Sequence, residues 1–475
     1  MAEAQAPVLV HKDGWDYIRI GGSPKERGQQ HGKLLASRIC DCIQREGKMM
    51  RLQTGMDWDF FKEQAVKLWG ERIRSYNYVE FYHEMIGIAE GVQSVLPDCG
   101  ITWEDILTWN AFEELVDYWF PTQAQAVYQQ LGGMPGAVTG KHFTVGSPDR
   151  CSAFIATGSY TKTGKIVAAH NSFVPFEMAS AMNVIIDLTT DKGERLVMQA
   201  QPGFIHSMSD FYVTSHGLII TETTIGGFSA YNPDGMLECF RVRRAAQEAD
   251  SLDQFCEIFW EDNTGGYANT WLVGDTKTNQ IMQFEAGCKF YDKKILSDGY
   301  FVGFNAPQDA RIRNFETSNS GYQDIRRHQG ARQVRLPQLM EQYKGQLDQE
   351  TAKKILADHY DVYLKRENPC SRTVCSHYER DAREYMSQPG RPVPFRPQGA
   401  VDGVVTTSEM AGQYQLAARF GSSCGEPFDA EAFFREHPQF SELSDLIDSL
   451  GGIPRLIYLI FPNIQSVLWL NEAFV

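Results

Sequence analysis

Apolar residues recur at helical spacing through roughly the first 118 positions, and the pattern then changes twice along the chain. A short strand from Trp15 to Ile20 and the turn Gly21-Gly22-Ser23-Pro24 lead into a helix that starts just after Pro24. Phe81 to Glu90 predicts an amphipathic helix stopped by Gly91, and Thr102-Trp103-Glu104-Asp105 predicts a helix start before Ile106 and Leu107. Between about 120 and 149 Gln, Gly and Pro accumulate, ending in Gly146-Ser147-Pro148-Asp149, the composition of an exposed, cleavable linker. From 151 to 230 the period drops to two, with turn residues at Thr161-Lys162-Thr163-Gly164, Asp191-Lys192-Gly193 and His216-Gly217, which predicts hairpins and not βαβ units. Glu238 to Trp260 predicts a helix exposing Arg241, Arg243 and Arg244. A hairpin turning at Asp275-Thr276-Lys277-Thr278, helices over 322–364 and a strand pair over 403–420 follow. Strands and helices in separate runs predict an α+β fold, divided into a helical region 1–119, a linker 120–150, a core 151–430 and a helical, apolar tail 431–475.

Composition narrows the functional classes. With 475 residues, 43% apolar and 22% charged, the chain has the make-up of an ordinary globular protein. Its formal net charge of −15 argues against nucleic acid as a partner and fits a neutral or zwitterionic small substrate. Met1 to Gly14 lacks the roughly 7–15-residue apolar stretch of a secretory signal, so the chain as given is expected in the cytoplasm; a trimmed leader would fit a secreted or lysosome-like compartment. No run reaches the ~18–20 apolar residues of a transmembrane helix. The nearest, Ile453 to Leu470, is broken by Arg455, Pro462, Asn463 and Gln465 and is expected to pack on the body or on a second subunit, a route to a homo-oligomer. Ten cysteines in so long a chain do not form a disulfide scaffold: Cys370 and Cys375 are close enough to bridge locally, and Cys40 and Cys42 read as core thiols.

The chemistry concentrates where the linker meets the first strand. Arg150-Cys151-Ser152-Ala153-Phe154 opens that strand, and the returning strand carries His170-Asn171-Ser172-Phe173, so His170 and Asn171 land beside Cys151. A cysteine so placed gains a base of its own once the Arg150–Cys151 bond is cut. The freed α-amine has a reference pKa of about 7.7–8.0 and takes the thiol proton near neutral pH. Such a cysteine is also compatible with a plain buried strand position, His170 with a hydrogen-bonded core histidine, and Asn269 with a turn residue before a strand.

Several segments resemble the phospholipase B-like family and the wider set of autoproteolytic N-terminal-nucleophile (Ntn) hydrolases and acyltransferases of the penicillin acyltransferase type. Arg27-Gly28-Gln29-Gln30-His31-Gly32, Gly87-Ile88-Ala89-Glu90-Gly91 and Trp103-Glu104-Asp105-Ile106-Leu107 resemble the second group. Gln201-Pro202-Gly203-Phe204, Ser209-Asp210-Phe211-Tyr212, Gly217-Leu218, Glu222-Thr223-Thr224-Ile225-Gly226 and Asn368-Pro369-Cys370-Ser371 resemble the first, and the likeness runs in order through most of residues 20–430. The resemblance implies an αββα sandwich of antiparallel sheets, self-cleavage before Cys151, and a helical fragment that stays bound. It further implies Thr223 or Thr224 beside the nucleophile, Asn269 as oxyanion donor and Arg372 as a late basic residue. Phe173 stands where many amide-cleaving relatives carry Asp, which favours the phospholipase B-like branch.

The expected activity is hydrolysis of an acyl ester or amide of a lipid-like substrate through a thioester, with no metal or organic cofactor. Phe173, Phe176, Phe204, Phe211 and Tyr212 are available to line an acyl pocket, and equally to fill a core. The alternatives are an N-acyl amide or amino acid amidase or acyltransferase, and an uncleaved binding protein on the same scaffold. Gly421-Ser422-Ser423-Cys424-Gly425 matches the G-x-S-x-G elbow, but too little chain follows to supply an acid and a histidine, so the match is read as accidental. Cys370-x4-Cys375-x-His377 lacks a visible second ligand pair for zinc, and Gly136 to His142 has the wrong spacing for a phosphate loop.

Overall fold

Alternation along the strands decides which faces of two sheets meet, and the helices cover the faces left over. The computed structural model describes residues 6–134, 151–319, 321–382, 394–451 and 459–461. The first sheet runs in the order β1 (Val8–Lys12), β2 (Trp15–Gly22), β5 (Val184–Thr190), β6 (Arg195–Ala200), β7 (Tyr212–Thr214), β8 (Leu218–Thr224), β9 (Asn269–Asp275), β10 (Gln280–Ala286) and β11 (Tyr291–Leu296). The second runs β12 (Gly299–Gly303), β3 (Cys151–Thr157), β4 (Val167–Pro175), β16 (Asp402–Thr407), β17 (Leu416–Phe420) and β18 (Leu459–Phe461), with β15 (Gln398–Ala400) on the outer end of β4. A two-stranded ladder joins β13 (Tyr360–Asp361) to β14 (Arg366–Glu367), and among the described residues every pairing between these strands is antiparallel except β2 with β5. The fold is therefore α+β, as the separated runs predict.

Ala153, Ile155, Ile166 and Ala168 pack against Val213, Ile219, Leu272 and Ile281, joining the two sheets face to face. The intervening residues point the other way. Phe154, Ala156, Val167 and Ala169 meet Leu336, Leu339, Ile355 and Leu356 from the helices His328–Gln342 and Gln349–Leu356. Ile186, Leu188, Ile220 and Val273 of the first sheet pack on helices from residues 36–120 and 238–260. Each such fully buried aliphatic side chain contributes about 1.5–3 kcal/mol relative to exposure.

The predicted helix start at Thr102 carries a capping box with Asp105, and the hairpin turns fall at the predicted turn residues. Gly91 does not stop its helix, which extends over Val79–Val95. Its role, with Gly28, Gly32 and Gly87, is close approach: a Cβ on Gly28 would lie 2.1 Å from the Glu84 carbonyl oxygen, so these glycines let the helix Pro24–Leu34 lie directly on its partner. At that crossing Arg27 pairs with Glu84 at 2.7 Å, and Arg243 reaches the same carboxylate at 3.2 Å. Arg241 and Arg243 are thus buried, contrary to the exposed face expected of them, because each guanidinium finds internal carboxylate or carbonyl acceptors. The segment 238–260 is two helices, Glu238–Glu248 and Leu252–Trp260, the second capped by Ser251.

Residues 120–130, expected within the linker, form a helix with Pro121 in its first turn, anchored where the Tyr128 hydroxyl donates to the Thr54 carbonyl at 2.8 Å. Residues 135–150, including Arg150 of the expected cleavage bond, lie outside the described residues. Cys40 is not a free core thiol but is disulfide-bonded to Cys99, whereas Cys42 is free. Cys370 and Cys375 are also free thiols, so the local bridge between them does not form. Of the apolar tail, only Leu459–Phe461 and the first residues up to 451 are described, and that short strand pairs with β17. No helix among the described residues is long and apolar enough to cross a membrane.

Candidate active site

Cys151 opens β3 on the parity of Ala153 and Ile155, the residues that face the first sheet. In the β3–β4 ladder Cys151 lies opposite Ser172 and Ala153 opposite His170, so His170 sits one step along the same face. Glu222 of β8 completes the cluster: the Cys151 thiol, a His170 ring nitrogen and a Glu222 carboxylate oxygen lie within 4.8 Å of one another, with Sγ 3.7 Å from Glu222 Oε1.

The main chain of Cys151 is held as carefully as its thiol. Its N–H donates to Asn305 Oδ1 at 3.1 Å, and its carbonyl accepts from Arg332. The second guanidinium nitrogen of Arg332 donates to the same Asn305 Oδ1 at 2.8 Å, while Asn305 Nδ2 donates to the Thr224 carbonyl at 2.7 Å. Asn305 follows β12 with a positive φ of 63°, a backbone state asparagine tolerates better than most residues. It thereby ties the ends of β12 and β8 to the nitrogen of Cys151.

Burial alone pushes the His170 pKa down to about 3, and neither ring nitrogen has a hydrogen-bond partner among the described residues. The imidazole is neutral at working pH. The unfolded chain protonates this ring below about pH 6.5 and the folded chain does not, so its stabilising effect is present above that pH and is lost as pH falls towards 3. Urea unfolding at pH 7 and pH 4.5 should therefore show the wild type losing roughly 2–3 kcal/mol more than His170→Gln on acidification. An identical loss in both proteins would mean that the ring is charged when folded. Asp210, buried and at a positive φ of 45°, is pushed well above the carboxylate range by burial and then by the Glu222 charge.

Asn171 has the opposite parity from His170 and faces the helices. Its Oδ1 accepts from the Ser152 N–H at 3.2 Å, and its Nδ2 donates to the Leu356 carbonyl, the Val374 carbonyl and Ser423 Oγ. Ser423 is itself buried and donates to the Asp402 carbonyl at 2.8 Å, and no helix follows it directly, so the Gly421–Gly425 match is not a nucleophile elbow. Thr223 faces the second sheet across Gly303, where an added Cβ would lie 2.5 Å from Thr223 Cγ2. Thr224 pairs with Asn269 in the β8–β9 ladder. Both threonine hydroxyls and both amide atoms of Asn269 are buried without a partner among the described residues. Orphaned groups of this kind are costly, and an amide donor of this kind suits an oxyanion.

Arg372 is committed elsewhere: its buried guanidinium pairs with Asp361, and the guanidinium that touches Cys151 belongs to Arg332. Phe173 lies under Arg332, 4.9 Å from its guanidinium carbon, and packs with Cys375, Tyr378 and Ala400, which makes it a core ring and not a wall of an acyl pocket. Phe204 stacks on His206 with centroids 4.8 Å apart and lines a narrow cleft with Asn110, Phe112, Glu238 and Tyr267. The Tyr212 hydroxyl accepts from the Ser207 N–H at 2.8 Å. Glu222, Asn305 and Arg332 escaped the sequence reading. Glu222 lay inside a recognised motif and was legible there, whereas Asn305 and Arg332 reach Cys151 from more than 150 positions away and carry no local signal.

A family model described as Phospholipase B matches residues 75–444. Phospholipase B of Crotalus adamanteus is 29% identical over 286 residues, covering 53% of this chain and 48% of its own length. Phospholipase B-like 1 of Homo sapiens is 27% identical over 263 residues, covering 50% of this chain and 44% of its own length. Phospholipase B-like protein B of Dictyostelium discoideum is 23% identical over 342 residues, covering 67% of this chain and 54% of its own length. The chain spans about half the length of these curated relatives.

Proposed function

Because this chain belongs to the phospholipase B family, we propose that it is a lipid acyl hydrolase whose nucleophile is Cys151, released by self-cleavage of the Arg150–Cys151 bond in an Ntn-type αββα sandwich. The observation that carries this reading is the clamp on the Cys151 nitrogen. Asn305 Oδ1, braced by Arg332, accepts from that nitrogen at 3.1 Å, as a group that must act as an amine would require. After cleavage the amine donates one proton to Asn305 and keeps its lone pair for the thiol. His170 does not take the proton at neutral pH, since burial holds its pKa at about 3.

The thiol proton passes to the amine, and the sulfur attacks the acyl carbonyl carbon. The oxyanion that forms is received by Asn269 Nδ2 and a backbone N–H. The C–O bond to the leaving alcohol breaks as the ammonium returns its proton to that oxygen. Water, deprotonated by the same amine, then hydrolyses the thioester. Asn171 holds the Ser152 N–H and so keeps the strand behind the nucleophile in register. The disulfide Cys40–Cys99 favours an oxidising compartment over the cytoplasm.

A lipid substrate is supported by the relatives this chain resembles, which are phospholipase B and phospholipase B-like proteins. Incubating the purified chain with a glycerophospholipid and, separately, with N-acyl amino acids tests the assignment. Fatty acid release from the phospholipid, with an acyl mass trapped on the Cys151 peptide, is the expected result. Cleavage of the amides alone would make the protein an amidase, and no acyl adduct with either donor would leave a binding protein.

A further inference from the structure

Four metal-ligating side chains converge on a second site that the hydrolytic reading does not use. His359 follows the helix Gln349–Leu356, Cys375 and His377 come from the loop after β14, and Cys424 from the loop after β17. One ligand atom from each lies within 4.8 Å of every other. His359 Nε2 and His377 Nε2 are 3.2 Å apart, and His377 Nε2 lies 3.5 Å from Cys375 Sγ and 3.6 Å from Cys424 Sγ. With Zn–N of about 2.0–2.1 Å and Zn–S of about 2.3 Å at tetrahedral angles, two nitrogens sit about 3.3 Å apart and nitrogen and sulfur about 3.6 Å apart. The distances match that geometry. The outer nitrogen of His377 is bonded to Glu379 Oε1 at 2.7 Å, the carboxylate-to-histidine contact that orients a metal-bound imidazole. Neither sulfur is in a disulfide, and two thiolates would balance a divalent charge.

We propose that His359, Cys375, His377 and Cys424 bind one zinc ion in a closed, structural Cys2His2 site. Its position explains what it would do. Val374 and Ser423, each one residue from a ligand, are two of the three groups that hold the Asn171 amide, and Asn171 holds the Ser152 N–H beside Cys151. The metal therefore pins two loops and the end of a helix, distant in sequence, into the buttress behind the nucleophile strand. This inference stands on the ligand geometry and is independent of the activity proposed above.

The full chain, purified without chelator, is expected to contain about one zinc by elemental mass spectrometry. The double variant Cys375→Ser/Cys424→Ser should hold less than roughly a tenth of that, while Cys370→Ser, which removes a neighbouring buried thiol outside the set, should retain it. If the double variant fails to fold, the wild type supplies the decision: dipicolinate should lower its melting temperature, added zinc should restore it, and cobalt in its place should give thiolate charge-transfer absorption with tetrahedral d–d bands. Absence of stoichiometric metal before and after incubation of the reduced protein with zinc overturns the proposal. So does zinc that survives loss of both thiols, or a Cys375–Cys424 disulfide in the isolated protein.

Discussion

Cys151→Ala is expected to leave the chain in one piece and without measurable turnover. The wild type should separate under denaturing conditions into residues 1–150 and 151–475, which stay together under native ones. The native association follows from the packing: helices from residues 36–120 share one apolar core with strands β5, β6 and β8–β10, and that core still joins the two pieces after the cut. Alanine keeps most of the volume and the clamp on the main-chain nitrogen while deleting the sulfur, so fold and chemistry part company in this variant. Intact-mass measurement and acyl release on the same preparation read both. Cys151→Ser retains a hydroxyl, a poorer nucleophile near neutral pH, and should cleave slowly with turnover far below the wild type. A wild type that remains uncut after prolonged incubation, with an acyl adduct on another residue, would remove Cys151 from the centre of the mechanism.

Asn269→Ala should lower kcat by roughly 10²–10³-fold with little change in KM, because a donor aimed at charge that develops only in the transition state contributes differential binding. The buried amide of Asn269 meets no partner among the described residues, so alanine at this position also removes an unsatisfied polar group. Thermal stability is therefore expected to hold or rise while activity falls. A structural asparagine gives the reverse, a lowered melting temperature with kcat of the folded fraction intact, and that outcome would return Asn269 to a turn role.

Much of the architecture was legible along the chain. The switch from helical to two-residue periodicity at Cys151, the turn residues between strands and the capping box at Thr102 are local signals, and the structure places hairpins and a helix start there. Both His170 and Asn171 are expected beside Cys151, but adjacent strand residues face opposite sides, so His170 points at Cys151 while Asn171 points at the helices. Where local reading misled, a long-range contact outweighed composition. Gly91 looked like a helix stop until the crossing helix required a residue without a Cβ, and Arg241 and Arg243 looked solvent-facing until internal acceptors were brought to them. The Gln-rich start of the linker is helical because Tyr128 and Phe120 anchor it on the core.

By itself the sequence determined the α+β class, the strand that Cys151 opens and the histidine that returns beside it, because strand parity and hairpin turns are properties of neighbouring residues. Only the tertiary structure decided that Arg332 and not Arg372 reaches Cys151, that Asn305 holds its nitrogen, that Cys40 finds Cys99, and that His359 and Cys424 join Cys375 and His377. Each of these is a meeting of side chains from loops or helix ends far apart in the chain. No periodicity encodes such meetings. They arise when the two sheets close on one another and the connections between strands are forced to share the space at their edges.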